Sequence, residues 1–161
     1  WHNSVREELS RNARTLANCY GRKRIFLNRW GHELFKVAYS YTPQSTVAEK
    51  MNQDGVLFLY NRQDLFPEVQ FFNTIHDSLR YQIPLSVGSA RVVEIISLVK
   101  ASLESPISWR GQEFSIPTDT EIGFSFDKNE MMEWKAAHVN MTEDADLAKE
   151  LEGYVNRETA R

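Results

Sequence analysis

The chain has 161 residues, 42% of them hydrophobic and 25% charged, with a formal net charge of −3 at pH 7. This composition is ordinary for one globular domain or a part of a larger one, and it excludes a protein that holds nucleic acid through an overall basic field. The single cysteine, Cys19, excludes an internal disulfide framework and fits a reducing compartment. The sequence contains no run of about 18 apolar residues, so no membrane span is predicted. We therefore expect a cytoplasmic protein in which any contact with nucleic acid is confined to a local patch.

The first predicted element is an amphipathic helix of about four turns, which starts at the first residue and stops near Asn18. Its apolar residues recur at helical spacing: Trp1, Val5, Leu9, Ala13 and Leu16. Most of the charged residues fall between these positions, which places them on the solvent side.

A basic and aromatic stretch, residues 20–30, follows this helix. Gly21 can supply a turn, and the residues after it favour a short hairpin. Cations interleaved with aromatic rings suit a phosphate backbone, and three of these cations are consecutive: Arg22, Lys23 and Arg24. Taken alone, the stretch is better explained as a solvated basic turn.

A second helical region is predicted from Leu34 to about Tyr60, with an interruption at Pro43. Thr42 and Pro43 fit an N-cap followed by a first helical position, so we expect a bent pair of helices. The second half has a predicted buried stripe, formed by Val47, Ala48, Met51, Gly55 and Phe58. Helical spacing also places three polar residues on one face, for which a solvated outer face is the simpler explanation: Lys36, Ser40 and Gln44.

The central feature of the chain is a predicted hairpin over residues 71–83. Before its tip, alternation places three residues on one face: Phe71, Asn73 and Ile75. After the tip, a second set shares a face, with Arg80 and Gln82 opposite: Leu79, Tyr81 and Ile83. The tip, His76-Asp77, lacks the glycine that primed hairpin turns prefer. A carboxylate and an imidazole at this place indicate a chemical role, and the alternative is a solvated turn, where Asp is common.

The last third of the chain continues with a helix and short strands. A helix over Ser89–Leu103 is predicted from one apolar stripe: Val92, Ile95, Ile96, Val99 and Leu103. Strands are predicted at Phe114–Ile116 and Ile122–Phe126, and a final helix near Thr142 has an apolar edge that includes Leu151 and Tyr154. This order of elements predicts an α+β fold, with an antiparallel sheet and helices packed on one of its sides.

Several of these segments, in this order and spacing, resemble the C-terminal part of family-A DNA polymerases, the DNA polymerase I type. Ile75-His76-Asp77 in its hairpin is similar to motif C of the family, usually valine-histidine-aspartate-glutamate. Thr15-Leu16 followed by Tyr20-Gly21 and the three cations resembles the basic hairpin of the family. Residues 35–49, FKVAYSYTPQSTVAE, resemble the helix that carries its arginine, asparagine and glutamine.

The resemblance covers residues 1–134, where a glycine-aromatic-serine-aromatic segment ahead of Trp134 is a further likeness. It implies that this part is the end of a larger right-hand polymerase fold: the helix at the end of the fingers, the basic hairpin and the palm sheet with motif C. Residues 135–161 lie outside the resemblance and are expected to form a C-terminal helical tail.

At the hairpin tip, the resemblance implies that Asp77 is one of the two carboxylates that hold catalytic Mg²⁺. His76 would lie near the 3′ end of the primer. Ser78 stands where the family usually has glutamate, so the accessory carboxylate of motif C is missing. This departure is more typical of a phage enzyme than of a bacterial repair polymerase.

Two sets of residues would bind the primer–template DNA if the resemblance holds. Facing the minor groove would be Gln44 and, less firmly, Ser40 and Lys36. Ser40 and Lys36 replace an asparagine and an arginine of the family. Lying along the nucleic-acid backbone would be Arg22, Lys23 and Arg24. Because minor-groove acceptors are nearly equivalent in all base pairs, a glutamine there can test pair geometry without reading sequence.

Two required parts of such a polymerase have no candidate in this sequence. Two-metal nucleotidyl transfer needs carboxylates from separate strands, and the second metal aspartate is not found. The fingers helix is not found either: Tyr20-Gly21 is the only tyrosine-glycine, and Asn12 stands eight residues before it instead of a lysine. We therefore expect a fragment, or one subunit of a split polymerase, with three partners: primer–template DNA, a deoxynucleoside triphosphate and the missing N-terminal part.

Two other functions fit parts of the sequence. One is a non-catalytic module that binds duplex DNA through Arg22–Arg24 and Gln44, which metal binding at Asp77 would distinguish. The other is a hydrolase that uses His76 with Asp77. Adjacent strand residues point to opposite faces, which disfavours such a dyad, and the scattered histidines show no zinc-ligand spacing.

Overall fold

The computed structural model describes residues 1–125, 131–134 and 141–160. Within these ranges the chain forms five α-helices: α1 His2–Arg11, α2 His32–Lys50, α3 Leu57–Asn61, α4 Ser89–Leu103 and α5 Met141–Thr159. A π-helical segment, Met51–Val56, joins α2 to α3 without a break, and we call His32–Asn61 the helical column. Eight short strands complete the described part: β1 Thr15–Ala17, β2 Lys23–Ile25, β3 Gln70–Ile75, β4 Ser78–Gln82, β5 Ile107–Trp109, β6 Gln112–Phe114, β7 Thr120–Ile122 and β8 Met132–Trp134.

The predicted α+β class is confirmed, but the strands do not form one sheet. In the described ranges they pair as four separate antiparallel ribbons, each made of two strands that are neighbours along the chain. Six of the eight strands have three residues, which is the short end of the usual range. The longest ribbon, β3 with β4, is the predicted central hairpin.

The first helix is shorter than predicted. It ends at Arg11, and the next residues turn the chain because Ala13 and Arg14 take left-handed backbone conformations, with φ of 47° and 59°. Strand β1 follows and pairs with β2. Leu16 is buried as expected, but it reaches the core from a strand, since one apolar residue fits either periodicity.

The predicted interruption at Pro43 is wrong, because α2 continues through this residue as one helix. Thr42 is therefore inside the helix and only 5% exposed, and it is not an N-cap; Gly31 precedes the first turn instead. Buried residues lie on both sides of the proline, Ala38 before it and Thr46 after it. This packing outweighs the hydrogen bond that proline cannot donate.

The interruption comes later, at the π-helical segment, and the buried face there is only partly apolar. Met51 and Gly55 are buried as predicted, whereas Ala48 is exposed. The neighbouring buried positions are charged, Glu49 and Lys50. This segment therefore combines a core contact with a polar network, which a purely apolar stripe did not predict.

Three hydrophobic clusters hold the elements together. The first joins α1, β1 and α2 through Val5, Leu9, Leu16, Phe26, Leu34, Ala38 and Tyr41. The second joins α3 to α4 through Leu59, Phe66, Ile95 and Val99, and the third joins α4 to α5 through Val93, Leu151 and Tyr154. Helix α4 has the predicted bounds, and the apolar edge predicted for the last helix is confirmed.

The C-terminal strands differ from the prediction in their pairing. Strand β6 ends at Phe114 and pairs with β5, which the sequence did not indicate. Strand β7 begins at Thr120 and pairs with β8, while Phe126, the predicted end of that strand, lies outside the described residues.

Candidate functional site

The predicted central hairpin is confirmed, and its tip is a two-residue turn. Ile75 pairs with Ser78, which leaves His76 and Asp77 to close the loop. His76 takes the left-handed conformation, with φ of 54°, at a position where glycine would be unstrained. A non-glycine residue is therefore held in a disfavoured conformation directly before the carboxylate of Asp77.

The residues before the tip do not share one face, because a β-bulge lies between Phe71 and Asn73. Phe71 pairs with Tyr81, but Asn73 pairs with Arg80, so Phe72 is the extra residue and the alternation changes there. The prediction that Phe71, Asn73 and Ile75 lie on one face is wrong for this reason.

The residues of the strand after the tip that were predicted to share a face anchor the hairpin in the core. Leu79, Tyr81 and Ile83 pack against the cluster formed by α3 and α4, and burial raises the pKa of Tyr81. Gly55 lets this strand approach the π-helical segment closely, since a Cβ on it would lie 3.2 Å from Leu79 Cδ2. Strand β4 is therefore fixed to the helical column.

The tip itself is exposed, with both His76 and Asp77 open to solvent. Among the residues that the structure describes, no three His, Cys, Asp or Glu side chains come together as a metal site. Mg²⁺ binds proteins through one or two carboxylates and keeps waters and phosphate oxygens. Asp77 can supply one such carboxylate, but the described residues do not form a complete magnesium site.

The second candidate surface is the short basic hairpin, β1 with β2, which is confirmed as a hairpin. Gly21 in its loop has φ of 80°, so it supplies the turn that the sequence indicated. The backbone N–H groups of Tyr20 and Arg22 donate to Asn18 Oδ1 at 3.0 and 2.9 Å. Asn18 Nδ2 in turn donates to the carbonyl of Ser45, which ties the loop to α2.

The three consecutive cations have different surroundings. The guanidinium of Arg24 lies over the rings of Phe26 and Tyr41, at 5.0 and 5.8 Å from their centroids. Lys23 is exposed on β2. Arg22 Nε donates to Glu49 Oε2 at 2.6 Å. The run of cations is therefore partly built into the fold and is not a uniformly solvated turn.

Glu49 is the centre of a contact that the sequence did not reveal. Its side chain is 11% exposed, and Gln53 Nε2 donates to its other oxygen at 3.1 Å. The hydrogen bonds from Arg22 and Gln53 hold the pKa of Glu49 below its usual value, so the residue is ionised at neutral pH.

A second ion pair, in which Lys50 is buried, lies one position further along the same helical column. Lys50 Nζ donates to Asp54 Oδ2 at 2.7 Å and to the carbonyl of Ser105 at 2.6 Å. The Tyr20 hydroxyl donates to the same carboxylate at 3.0 Å, and burial together with this bond raises the pKa of Tyr20. The basic loop is thus fixed to the π-helical segment at a second point.

Polar residues spaced four apart, Glu49 with Gln53 and Lys50 with Asp54, were the available signal for these contacts. The same spacing describes Lys36, Ser40 and Gln44, which lie along one side of the continuous helix α2. Lys36 and Gln44 are exposed, whereas the Ser40 hydroxyl donates to the carbonyl of Val37 at 3.1 Å.

Both candidate surfaces are therefore attached to one support, the helical column. The basic loop contacts it through Glu49 and Asp54, and the central hairpin contacts it at Gly55. No helix in the described part of the chain is both long and apolar enough to cross a membrane. Comparison of the chain with protein-family models, with curated protein sequences and with solved structures finds no match.

Proposed function

We propose that the chain is the C-terminal portion of a DNA-directed DNA polymerase of the family-A type. The observation that carries the proposal is the glycine-free turn, in which a strained His76 precedes an exposed Asp77 on a hairpin anchored in the core. Ala13, Arg14 and Arg110 also have positive φ, so what favours a function at His76 is its place directly before an exposed carboxylate. This turn lies within the motif that resembles motif C.

In this function, the chain provides one metal ligand and a surface for DNA. Asp77 would bind Mg²⁺ together with a carboxylate from the missing N-terminal part of the polymerase. Bound there, the metal ions would activate the 3′ hydroxyl of the primer and neutralise charge on the triphosphate of the incoming nucleotide. His76 would lie against the primer end.

The remaining contacts would hold the primer–template. Arg22, Lys23 and Arg24 would neutralise backbone phosphates, and Gln44 would donate to acceptors in the minor groove, flanked by Ser40 and Lys36. The common attachment of both surfaces to the helical column supports this function, because the distance between bound duplex and Asp77 would then be fixed. Such an enzyme would act in the cytoplasm, that of the host if a phage encodes it.

Primer extension tests the proposal by complementation. The purified chain alone should not extend a labelled primer, because one metal carboxylate and the fingers lysine are absent from its sequence. Mixed with the polypeptide encoded upstream of it, or in the neighbouring reading frame, it should extend the primer in the presence of Mg²⁺. Extension by the chain alone, or no extension by the mixture, would contradict the proposal.

The second candidate function is a non-catalytic module that holds duplex DNA. The observation that favours it is the single carboxylate at the tip, since the described residues do not complete a metal site. Titration of Mn²⁺ as a spectroscopic probe into the complemented protein distinguishes the two. Binding that Asp77→Asn abolishes supports the polymerase, and equal binding by both proteins supports the module.

A further inference from the structure

The geometry of the ion pair between Arg22 and Glu49 suits a further role besides stabilising the fold. The two side chains differ sharply in exposure: the Arg22 side chain is 63% exposed, whereas that of Glu49 is 11% exposed. The hydrogen bond to Glu49 is made through Nε, at the base of the guanidinium. An arginine has four further N–H donors on its two terminal nitrogens, and the bond from Nε to Glu49 does not use them.

The backbone of Arg22 is fixed on both sides of this side chain. Its N–H donates to Asn18 Oδ1 at 2.9 Å, and its carbonyl accepts from the Tyr41 hydroxyl at 2.8 Å. Glu49 is itself held by Gln53, so the carboxylate cannot turn freely with the arginine. Main chain and side chain of Arg22 are thus restrained by three residues: Asn18, Tyr41 and Glu49.

We propose that Glu49 is a positioning residue that orients the Arg22 guanidinium for bidentate contact with a phosphate of the nucleic-acid backbone. This inference rests on the proposed function, since it assigns the ligand chemistry of the basic hairpin. Planar guanidinium groups match phosphate oxygens in pairs, so a fixed orientation lowers the entropy lost on binding. Glu49, although it is an acid close to the DNA-binding surface of the protein, then strengthens the binding of DNA instead of weakening it.

The direction in which Glu49→Gln changes the affinity for duplex distinguishes a positioning role from an effect of charge alone. Removing a negative charge near a polyanion normally strengthens binding or leaves it unchanged. If Glu49 positions Arg22, Glu49→Gln weakens duplex binding, by roughly threefold to tenfold, the range expected when a charge-assisted contact loses its geometry. Glu33→Gln is the matched control, since Glu33 is an exposed acid of the same helix, and it should bind as well as the wild type or better.

The experiment measures dissociation constants for a fluorescent primer–template duplex by anisotropy at several salt concentrations. Arg22→Ala should weaken binding and flatten the salt dependence, and adding Glu49→Gln to it should have no further effect. Arg22→Lys keeps the charge without the planar fork, and it should weaken binding about as much as Glu49→Gln. This last variant changes an exposed side chain, so it tests the orientation even if Glu49→Gln fails to fold, which circular dichroism reports.

The outcomes separate this inference from the function on which it rests. No binding of the duplex by the wild-type chain would contradict both. Binding by the wild type with tighter binding by Glu49→Gln, additive losses in the double variant, or full affinity of Arg22→Lys would overturn the positioning role alone.

Discussion

The Ser78 hydroxyl donates a hydrogen bond to the carbonyl of Ile75 at 2.8 Å, across the turn that carries His76 and Asp77. In the family-A polymerases of the proposed function, glutamate usually stands at this position. The Ser78 side chain closes the turn on itself, which a glutamate reaching toward a metal would not do. The tip therefore offers one carboxylate, that of Asp77, in a turn that is closed by both backbone pairing and a side chain.

The first prediction concerns Asp77. In the complemented enzyme, Asp77→Asn should lower kcat by more than about a hundredfold, because even changes in the residues around metal ligands cost about 10- to 100-fold. Affinity for the duplex should persist, since the substitution keeps the size of the side chain. Single-turnover primer extension measures the effect, and Asp64→Asn, an exposed acid in another loop, is the control. Polymerisation near the wild-type rate would contradict the assignment of Asp77 as a metal ligand.

The second prediction concerns Gln44. A mispair moves the minor-groove acceptors, so a hydrogen bond from Gln44 weakens and the 3′ end is poorly placed. One such bond contributes about 0.5–1.5 kcal/mol, so Gln44→Ala should slow extension from matched termini by up to roughly tenfold. Extension from mismatched termini should slow less. Equal slowing on both termini would show that Gln44 contributes to the structure of its helix and does not contact the base pair.

The third prediction concerns Lys23, the exposed cation of β2. Lys23→Ala should weaken binding to all duplexes to a similar degree and reduce the slope of log K against log salt by roughly one, as expected for a single phosphate contact. The ratio of matched to mismatched extension should stay at the wild-type value. A change in that ratio would place Lys23 near the base pairs instead of the backbone.

The fourth prediction concerns stability in acid. Burial raises the pKa of Glu104, but hydrogen bonds from Lys100 and Thr118 outweigh it, so the pKa is lowered on folding, as that of Glu49 is. A lowered folded pKa means that the unfolded state binds protons first, so stability present at neutral pH is lost as the pH falls below about 4.5. Urea unfolding at pH 7 and pH 3.5 measures this loss. Glu104→Gln should be less stable at pH 7 and lose less between the two pH values, and an equal loss in both proteins would contradict the assignment.

The sequence predicted those elements whose signals are local. Helix α4 has an unbroken apolar stripe, and the central hairpin has a short turn between two runs of alternating sequence, so both lie where we expected them. The bulge at Phe72, which changes the alternation before the tip, was not predicted. The turn at Ala13 and the continuation of α2 through Pro43 were missed, because packing against residues distant in sequence decides them. Residues in contact far apart along the chain leave no periodic signal.

The same reasoning applies to the candidate site. The exposed tip and the basic hairpin could be named from the sequence, since their residues are consecutive. Arg22 and Glu49, however, are 27 residues apart, and only the folded chain brings them to 2.6 Å. Glu49 is a buried charge inside a helix, so it belonged to neither the predicted apolar stripe nor the predicted polar face.

The π-helical segment has a consequence for chain length. Its hydrogen bonds span five residues where an α-helix spans four, so it takes up one extra residue while the flanking turns keep their phase. A chain one residue shorter between Lys50 and Leu57 could close into plain α-helix with Leu59 still directed toward the core. The same deletion inside α2 would rotate every following side chain by about 100°. Related chains can therefore differ by a single residue at this one place in the helical column without exchanging its buried and exposed sides.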